Sequence, residues 1–402
     1  MRFPEFQGEW EKKRFSDIAK KNTIKNKDGK ITNVISNSAQ HGLIPQLDFF
    51  DKKIANDDNT GSYFIIEKGD FVYNPRKSVT APYGPINMYC ANTSGIVSPS
   101  YLCFKTYNIN RTFLFYYFKS SAWHKFMYLN GDNGARHDRI GIKDEIFFTL
   151  PIKYPKEEEQ ERIVKLFTLL DERIATQSKI IEKLESLIIG ISDSLFCGQK
   201  HKPALRFAEY KEEWKKVKLK EIVSRITRKN KENETELVLT IAAQHGLVDQ
   251  YSFFNKQIAS NYISNYYLLY QGEFAYNKSY SKDYPWGAVK RLDLYEKGVL
   301  STLYICFKAM EHVNTDYLAY YFETNKWYRE ISEIAGEGAR NHGLLNISID
   351  DYFETAHFIP SYEEQQKIAS FLGLLYSQFK NEQSFLENLQ KQKRYLMLQM
   401  FI

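Results

Sequence analysis

Residues 38–55 read SAQHGLIPQLDFFDKKIA, and residues 242–259 read AAQHGLVDQYSFFNKQIA. Eleven of the 18 paired positions are identical, although the two segments lie 204 residues apart. A match of this length at a long interval indicates that the chain carries one globular unit twice. Two related units in one chain predict internal pseudo-twofold symmetry, which suits a target that is itself made of two parts.

The duplication extends along the whole sequence. Each copy opens with an Arg-Phe segment that ends in Trp, at 2–10 and 206–214, and closes with a Glu-Glu-Gln sequence shortly after a Pro, at 158–160 and 363–365. Because the spacing between matched segments changes by only a few residues, the insertions must be short and must lie between shared elements. Further matched pairs are 69–74 and 272–277, 101–105 and 304–308, and 134–136 and 338–340.

The composition is that of a folded protein with a mildly basic surface. The 402 residues are enough for two domains with hydrophobic cores, and 43% of them are hydrophobic. The formal net charge of +6 permits a polyanionic partner without requiring one. The first residues lack the apolar stretch of a signal peptide, and no uncharged apolar run is long enough to span a bilayer. These features predict a cytoplasmic protein.

A long helix is predicted after each copy, over residues 156–199 and 361–402. Apolar residues recur there at alternating steps of four and three, which is the heptad pattern of a coiled-coil helix. At about 1.5 Å per residue, a helix of about 39 residues is roughly 58 Å long. The predicted contact seam consists of Ile163, Phe167, Leu170, Ile174, Ile181, Leu184, Ile188 and Leu195 in the first helix, and of Ile368, Leu372, Leu375, Phe379, Leu386, Leu389 and Leu396 in the second.

The narrow, continuous seam favours packing of each long helix along the other over packing on its own domain. Since the second copy starts where the first helix ends, an antiparallel pair connects the elements without a long return loop. The predicted fold class is therefore α+β. Two similar mixed α/β globular domains, residues 1–155 and 200–360, are joined by two long antiparallel coiled-coil helices in a pseudo-twofold symmetric arrangement.

This organisation resembles the specificity (S) subunit of type I restriction–modification systems, and the resemblance covers the whole chain. It depends on the tandem architecture, the two Arg-Phe…Trp segments, the Gly-Ala-Arg turns at 134–136 and 338–340, and the two Glu-Gln helix starts. The resemblance implies that each domain is a target recognition domain that reads one half of a split, asymmetric site in double-stranded DNA.

The same resemblance implies what the helices and the partners do. The helix pair would set the spacing between the half-sites and dock two methyltransferase (M) subunits and the restriction/translocase (R) subunits. S-adenosylmethionine, ATP and Mg would be bound by those partners, in the cytoplasm of a bacterial or archaeal cell. The chain itself would be a non-catalytic subunit of an N6-adenine methyltransferase/endonuclease.

The sequence lacks the motifs of the reactions that such partners catalyse. An N6-adenine methyltransferase carries an Asn-Pro-Pro-aromatic motif, and the nearest segment, Asn-Pro-Arg-Lys at 74–77, has neither the second proline nor the aromatic residue. We find no Gly-rich dinucleotide or phosphate loop and no metal-ligand spacing of His residues. We therefore predict no catalytic, cofactor-binding or metal-binding residues in this chain.

Two basic runs lie at matching places, between the Trp of each opening segment and the repeated Gln-His-Gly segment. Lys and Arg contacts to phosphates give proteins their affinity for DNA, so these runs are candidates for a backbone contact. A solvated surface loop is an equally good interpretation. The residues are Lys20, Lys21, Lys25 and Lys27 in the first copy, and Arg225, Arg228 and Lys229 in the second.

The segments that follow the shared Tyr-Asn at 73–74 and 276–277 differ between the copies. Different half-sites require different side chains on a shared frame, so we predict that this divergence marks contact with DNA. The residues are Arg76 and Lys77 in the first copy, and Lys278 and Lys282 in the second.

The shared motifs give two further candidate groups. Gln is suited to bidentate contact with adenine, yet a residue that reads bases should vary between half-sites, so a turn set by Gly42 and Gly246 is the favoured role of the Gln-His pairs. The Gly-rich turns further along are predicted to approach phosphate, with a structural salt bridge as the alternative. These candidates are Gln40, His41, Gln244 and His245 for the first group, and Arg136, Arg139 and Arg340 for the second.

Two other functions stay open on the sequence alone. One is a DNA-binding subunit with intrinsic methyltransferase activity, which the missing motifs oppose. The other is a duplicated protein–protein scaffold. Salt distinguishes the scaffold from a DNA-binding protein, because DNA binding weakens steeply with ionic strength and a largely apolar protein interface does not.

Overall fold

The computed structural model describes residues 1–46, 57–132, 138–198, 202–254, 263–336 and 343–401, with the side chains of all of these except 57–59. The chain divides into two compact units: unit 1 is Met1–Ser178 with Ser384–Ile402, and unit 2 is Lys179–Gln383. The predicted α+β fold, with two similar sheet-containing domains and two long helices, is confirmed.

Unit 1 contains one four-stranded antiparallel sheet and three two-stranded pairs. The sheet has the order β2-β9-β6-β7, and the pairs are β1-β10, β3-β4 and β5-β8. The strands are β1 Glu11–Arg14, β2 Ala19–Lys21, β3 Ile35–Ser38, β4 Gly42–Pro45, β5 Phe64–Ile66, β6 Phe71–Tyr73, β7 Ile86–Met88, β8 Gly95–Val97, β9 Leu102–Thr106 and β10 Pro151–Tyr154. The helices are α1 Arg111–Lys119, α2 His124–Asn130, α3 Asp144–Phe147 and α4 Glu157–Leu195, of which the last continues into unit 2.

Unit 2 repeats this topology strand for strand. Its sheet has the order β12-β19-β16-β17, and its pairs are β11-β20, β13-β14 and β15-β18. The strands are β11 Lys215–Lys218, β12 Val223–Arg225, β13 Leu239–Ala242, β14 Gly246–Asp249, β15 Tyr267–Tyr270, β16 Phe274–Asn277, β17 Ala288–Arg291, β18 Lys297–Leu300, β19 Ile305–Ala309 and β20 Ala356–Ile359. The helices are α5 Leu219–Ile222, α6 Gln250–Phe254, α7 Thr315–Phe322, α8 Tyr328–Ile334, α9 Ile349–Glu354 and α10 Tyr362–Met400, the last of which ends in unit 1.

Aromatic residues of the four-stranded sheet form the centre of each core. In unit 1 the rings of Phe71 and Phe104, on neighbouring strands, stack with centroids 5.3 Å apart. The indole N–H of the buried Trp123 donates to the carbonyl oxygen of Phe118 at the end of α1 (3.0 Å). Stacked and edge-to-face rings stabilise a core beyond the area that they bury. The matching residues of unit 2 are Phe274, Phe307, Trp327 and Phe322.

A buried carboxylate joins the opening segment of each copy to the start of its long helix. Glu159, in the first turn of α4, is 1% exposed. It accepts hydrogen bonds from Nε and Nη2 of Arg2 (2.7 and 2.6 Å) and from the indole N–H of Trp10 (3.3 Å). The repeated Arg…Trp and Glu-Gln motifs are therefore two sides of one contact. In unit 2, the equivalent bonds of 2.8, 2.8 and 3.4 Å join Glu364, Arg206 and Trp214.

The Gln of the same motif ties the long helix to the first helix after the sheet. The side-chain oxygen of Gln160 accepts from the backbone N–H of Asn110 (3.0 Å), and its amide group donates to the carbonyl of Pro155 (2.8 Å). Asn110 in turn caps α1, since its side chain accepts from the backbone N–H groups of Thr112 and Phe113. The same arrangement in unit 2 uses Gln365, Asn314, Pro360 and Tyr317.

Within unit 1, the start of α4 and the end of α10 run antiparallel. The ring of Phe167 stacks on that of Phe401 (5.9 Å), and further along α4 Asp171 forms an ion pair with Lys393. The residue number rises on one helix as it falls on the other, which defines the antiparallel direction. Phe401 also contacts Phe113 of α1 (5.5 Å), so this helix pair is part of the core of unit 1.

Within unit 2, the end of α4 and the start of α10 share one hydrophobic core. Leu195 and Phe196 lie in the same cluster as Ile368 and Leu372.

Every residue of the predicted seam is buried or half-buried, and Leu389 is 5% exposed. Several large apolar residues on the other faces of the same helices are solvent-exposed instead: Leu169, Ile180, Leu187, Ile189, Leu374, Tyr395 and Leu398.

A buried histidine gives unit 2 a pH dependence that the equivalent position of unit 1 lacks. Burial lowers the pKa of His357 to about 4, and the ring is hydrogen-bonded to Tyr321 (2.8 Å) and Thr355 (2.9 Å). The unfolded chain takes up the proton near the ordinary pKa of about 6.5, so stability that is present above pH 6.5 is lost as the pH falls toward 4. Unit 1 has the buried Ile152 at the equivalent place on β10.

We expect His357 to contribute a loss of about 2.5 kcal/mol in the stability of unit 2 between pH 7 and pH 4.5. Urea unfolding at both pH values, followed for each unit by pulsed hydrogen exchange, measures it. The His357→Ile substitution should remove this part of the pH dependence, whatever its effect on the free energy of unfolding at pH 7. Ile152→Val is the matched control substitution in unit 1. An unchanged slope in the His357→Ile protein would contradict the assignment.

Candidate nucleic-acid interface

The repeated Gln-His-Gly segments form the turns of two equivalent hairpins. In unit 1 this turn joins β3 to β4, and Gly42 has φ +74°; in unit 2 it joins β13 to β14, and Gly246 has φ +86°. Left-handed backbone of this kind favours glycine, so the shared glycines allow the turn to form. A turn is the role that the sequence favoured for this segment. The two turns leave four of the predicted side chains exposed at their tips: Gln40 and His41 in unit 1, and Gln244 and His245 in unit 2.

A polar cleft of about 580 Å³ in unit 1 brings four predicted residues together. Its walls come from the β3–β4 turn, the segment between β6 and β7, and the residues around Tyr101. Burial raises the pKa of Tyr101, and nearby Arg139 and Arg76 counteract that rise. The cleft is therefore a concave surface with a local excess of positive charge. The predicted residues that line it are Gln40, Arg76, Lys77 and Arg139.

Arg76 and Arg139 lie directly opposite each other in an antiparallel β-bridge. The bridge is held by two backbone hydrogen bonds beside it, from the N–H of Lys77 to Asp138 (2.8 Å) and from the N–H of Ile140 to Pro75 (2.9 Å). Asp138 also lies 3.4 Å from the Nε of Arg76, in a pair in which both side chains are about half-exposed or more. In the part of the chain that the structure describes, the buried Nε of Arg139 has no hydrogen-bond partner.

Buried asparagines fix the cleft to the sheet. The side chain of Asn37 donates to the carbonyl of Val72 (2.7 Å), and that of Asn87 donates to the Oδ1 of Asn37 (2.6 Å). Asn74, the last residue before the divergent segment, donates to the carbonyl of Asn37 (3.0 Å) and accepts from the backbone N–H of Arg76 (3.0 Å). Sequence analysis did not identify Asn37 and Asn87, because asparagines at scattered positions carry no periodic signal.

The equivalent segment of unit 2 has matching backbone hydrogen bonds and other side chains. Its β-bridge joins Ser279 to Leu344. Lys278 directs its ammonium group to the carbonyl of Ile347 (3.4 Å) and is half-buried, whereas Lys282 is exposed. Of the two lysines predicted here, only Lys282 is fully presented to solvent.

The two basic runs differ in how far the fold uses them. In unit 2, Arg228 forms an ion pair with Glu273 (2.6 Å) and lies over the ring of Tyr270 (4.2 Å), and Lys229 lies over the ring of Tyr267 (3.5 Å). These contacts give Arg228 and Lys229 a structural role. The other candidates are exposed: Lys20, Lys21, Lys25, Lys27 and Arg225, of which Lys21 pairs with Asp144. Arg136 and Arg340 lie outside the described residues.

A second cavity of unit 1, of about 710 Å³, contains a lysine that sequence analysis missed. The Nζ of Lys119 donates to the Oδ1 of Asn87. Loss of solvation and, to a smaller extent, the charge of Lys393 lower the pKa of Lys119 to about 8, while the charge of Asp171 acts to raise it. In unit 2 the residues at the matched positions are exchanged for others of different charge, since Lys290 takes the place of Asn87 and pairs with Glu323, which takes the place of Lys119. A position-by-position comparison of the two copies would have revealed this exchange.

Two other kinds of feature are absent from the described residues. Among them, no three His, Cys, Asp or Glu side chains are grouped so as to hold a metal ion. Nor does any helix in that part of the chain combine the length and the apolar character that crossing a bilayer requires.

Comparison with known proteins finds a family model that matches part of this chain and solved structures with a similar fold. Residues 7–186 match the family model described as type I restriction modification DNA specificity domain. The HsdS subunit from Thermoanaerobacter tengcongensis has a similar fold at 15% identity and a TM-score of 0.51, covering 98% of this chain and 97% of that one. The type I restriction–modification S subunit from M. genitalium gives 14% identity and a TM-score of 0.50, covering 99% and 98%.

A third similar fold occurs in a structure concerned with complex assembly and conformational transition of the type I R-M system. It has 13% identity and a TM-score of 0.58, covering 98% of this chain and 97% of that one. At these identities the solved structures establish the fold. No curated protein matches the chain.

The wall of the unit 1 cleft depends on a close approach at Gly84. This residue has φ +81°, and a Cβ atom there would lie 2.1 Å from the carbonyl oxygen of Asn74. We expect Gly84→Ala to destabilise unit 1 by about 2–4 kcal/mol, since it adds a backbone clash to the left-handed strain.

Gly42→Ala is the control in the same unit, because Gly42 has φ +74° and its nearest neighbour would be 3.9 Å away. It should cost only the strain of about 1–2 kcal/mol. Urea unfolding of both variants, followed through the amides of unit 1, makes the comparison. Equal costs would show that the segment between β6 and β7 does not approach Asn74 this closely.

Proposed function

We propose that this chain belongs to the type I restriction–modification DNA specificity family, that it supplies the DNA sequence specificity of a multisubunit complex, and that it catalyses no step itself. The observation that carries the proposal is the polar, cationic cleft of unit 1, where Gln40, Arg76, Lys77 and Arg139 converge. Arg and Lys side chains contact phosphates, and Arg and Gln side chains are also the common readers of base edges.

Each unit reads one half of a split and asymmetric DNA site. Support comes from the two units themselves, which share their strand order and their buried anchors but differ in the side chains after Asn74 and Asn277. A common frame with different contact residues is what two unlike half-sites require. The recognised sequence therefore has two dissimilar specific parts separated by bases that are not read.

The two long helices set the spacing and dock the partner subunits. Each is a single helix of 39 residues, roughly 58 Å at about 1.5 Å per residue. Apolar side chains such as Leu187, Ile189 and Leu374 are exposed on them, and exposed apolar surface of this kind is typical of a protein interface. We assign these faces to two methyltransferase subunits and to restriction subunits.

The chemistry belongs to those partners. The methyltransferase subunits would bind S-adenosylmethionine, and the restriction subunits would bind ATP and Mg. In this role the chain acts on the chromosome in the cytoplasm of a bacterial or archaeal cell. Asn74, at the place where a methyltransferase motif would begin, supports this division, since its side-chain amide is committed to Asn37 and to the backbone of Arg76.

The first test is the sequence that the complex methylates. We expect a complex of this chain with its methyltransferase subunits to methylate adenine within an asymmetric site that is split by a fixed unread gap. Sequencing of modified bases in DNA from cells that express the complex measures this, and DNA binding should weaken steeply with ionic strength. A continuous palindrome, or binding that is insensitive to salt, would contradict the proposal.

The second test is the helix seam. Leu389→Asp places a charge at a buried seam position, so we expect it to loosen the helix pair and to allow methylation at sites whose gap differs by a base pair. Asn388→Asp, at an exposed polar position next to it on the same helix, is the control and should leave the gap unchanged. A Leu389→Asp complex with wild-type stability and an unaltered gap preference would show that the seam does not set the spacing.

A further inference from the structure

The two units differ chemically at one matched β-bridge. In unit 1 the bridge joins Arg76 to Arg139, and in unit 2 it joins Ser279 to Leu344. The flanking hydrogen bonds show that the positions are equivalent. The bonds from Ile140 to Pro75 and from Lys77 to Asp138 in unit 1 correspond to those from Leu345 to Lys278 (2.9 Å) and from Tyr280 to Gly343 (3.0 Å) in unit 2.

The arginine pair does not serve the fold. Like charges placed directly opposite each other in a β-ladder destabilise it. Asp138 compensates only in part, through an exposed contact of 3.4 Å to Arg76, and the Nε of Arg139 has no partner among the described residues. Unit 2 closes the same backbone with an uncharged pair, so the arginines are not needed to hold the segment in place.

The position of the bridge explains why the arginines are there. Both line the cleft of about 580 Å³, and the side chain of Arg76 is 67% exposed. In unit 2 the matched residues are also presented to solvent, with Ser279 exposed and Leu344 at 36%. The bridge is therefore a pair of solvent-accessible positions whose side chains differ between the units while the flanking hydrogen bonds are kept.

We propose that this bridge reads a base in each half-site, and that in unit 1 it reads guanine. A guanidinium group forms two parallel hydrogen bonds with O6 and N7 of guanine, which is the commonest specific contact in the major groove. Ser279 and Leu344 cannot make that contact, so unit 2 does not require guanine at the equivalent position. The inference rests on the proposed function and adds to it the identity of one base and the residues that select it.

The test exchanges the two bridges in the full complex with its methyltransferase subunits. Arg76→Ser combined with Arg139→Leu installs the pair that the same backbone already carries in unit 2. Methylation of a DNA library randomised over the site should lose its preference for guanine at one position of one half by about tenfold or more, with the other half unchanged. Arg14→Ser, on β1 of unit 1 and outside the cleft, is the control and should leave the methylated sequence unchanged.

A lysine pair separates base reading from phosphate binding. Arg76→Lys combined with Arg139→Lys keeps both charges but removes the planar fork, so guanine selection should still be lost. If the lysine pair retains the wild-type sequence, and the Ser–Leu pair only weakens binding to all sequences, the arginines contact phosphate and the inference is wrong. If the wild-type complex methylates no split site, the proposed function is wrong. If the wild-type complex methylates a split site but neither variant changes the preference at one base of that site, only the inference is wrong.

Discussion

The buried carboxylate at the first turn of each long helix is the contact on which the architecture of each unit depends. Glu159 and Glu364 are each 1% exposed, and a charge in that position is costly unless it is fully paired. The guanidinium and indole donors of the opening segment satisfy it, and the helix N-terminus adds a favourable dipole. One interaction thereby fixes the opening segment and the long helix of the same unit together.

The neighbouring glutamine extends this constraint to the sheet. Gln160 and Gln365 each bond to the backbone of the residue that caps the helix following β9 or β19. Through that cap, the direction of each long helix is coupled to the sheet of its own unit. A helix that bends or slips at its start would leave a carboxylate, an indole and an amide without partners, each in a buried place.

Much of this fold is encoded locally and could be predicted from the sequence. The duplication, the heptad pattern and the two helix starts are patterns of adjacent or regularly spaced residues. The seam residues proved to be buried or half-buried, and the Gly42 and Gly246 turns have the left-handed backbone that the favoured interpretation required. These features depend on short-range geometry.

The candidate site was harder to predict because it depends on residues far apart in the chain. Nothing in the sequence near Arg76 indicates that Arg139 lies opposite it, since the pairing is set by how the loops cross the sheet. Arg228 illustrates the converse case. It resembles a surface cation in the sequence, but a carboxylate 45 residues away, on Glu273, and the ring of Tyr270 bind it to the fold.

The two units have separate hydrophobic cores. The main core of unit 1 and that of unit 2 have no residue in common. Effects of substitutions add when the sites share no partners, so a change confined to one core should leave the energetics of the other unchanged. The matched positions Lys119 and Glu323 carry opposite charges at exposed sites, which shows that the common frame tolerates a reversal of charge there. The side chains of one unit can therefore change without disturbing the frame of the other, because the anchors that hold each frame lie outside the residues that vary.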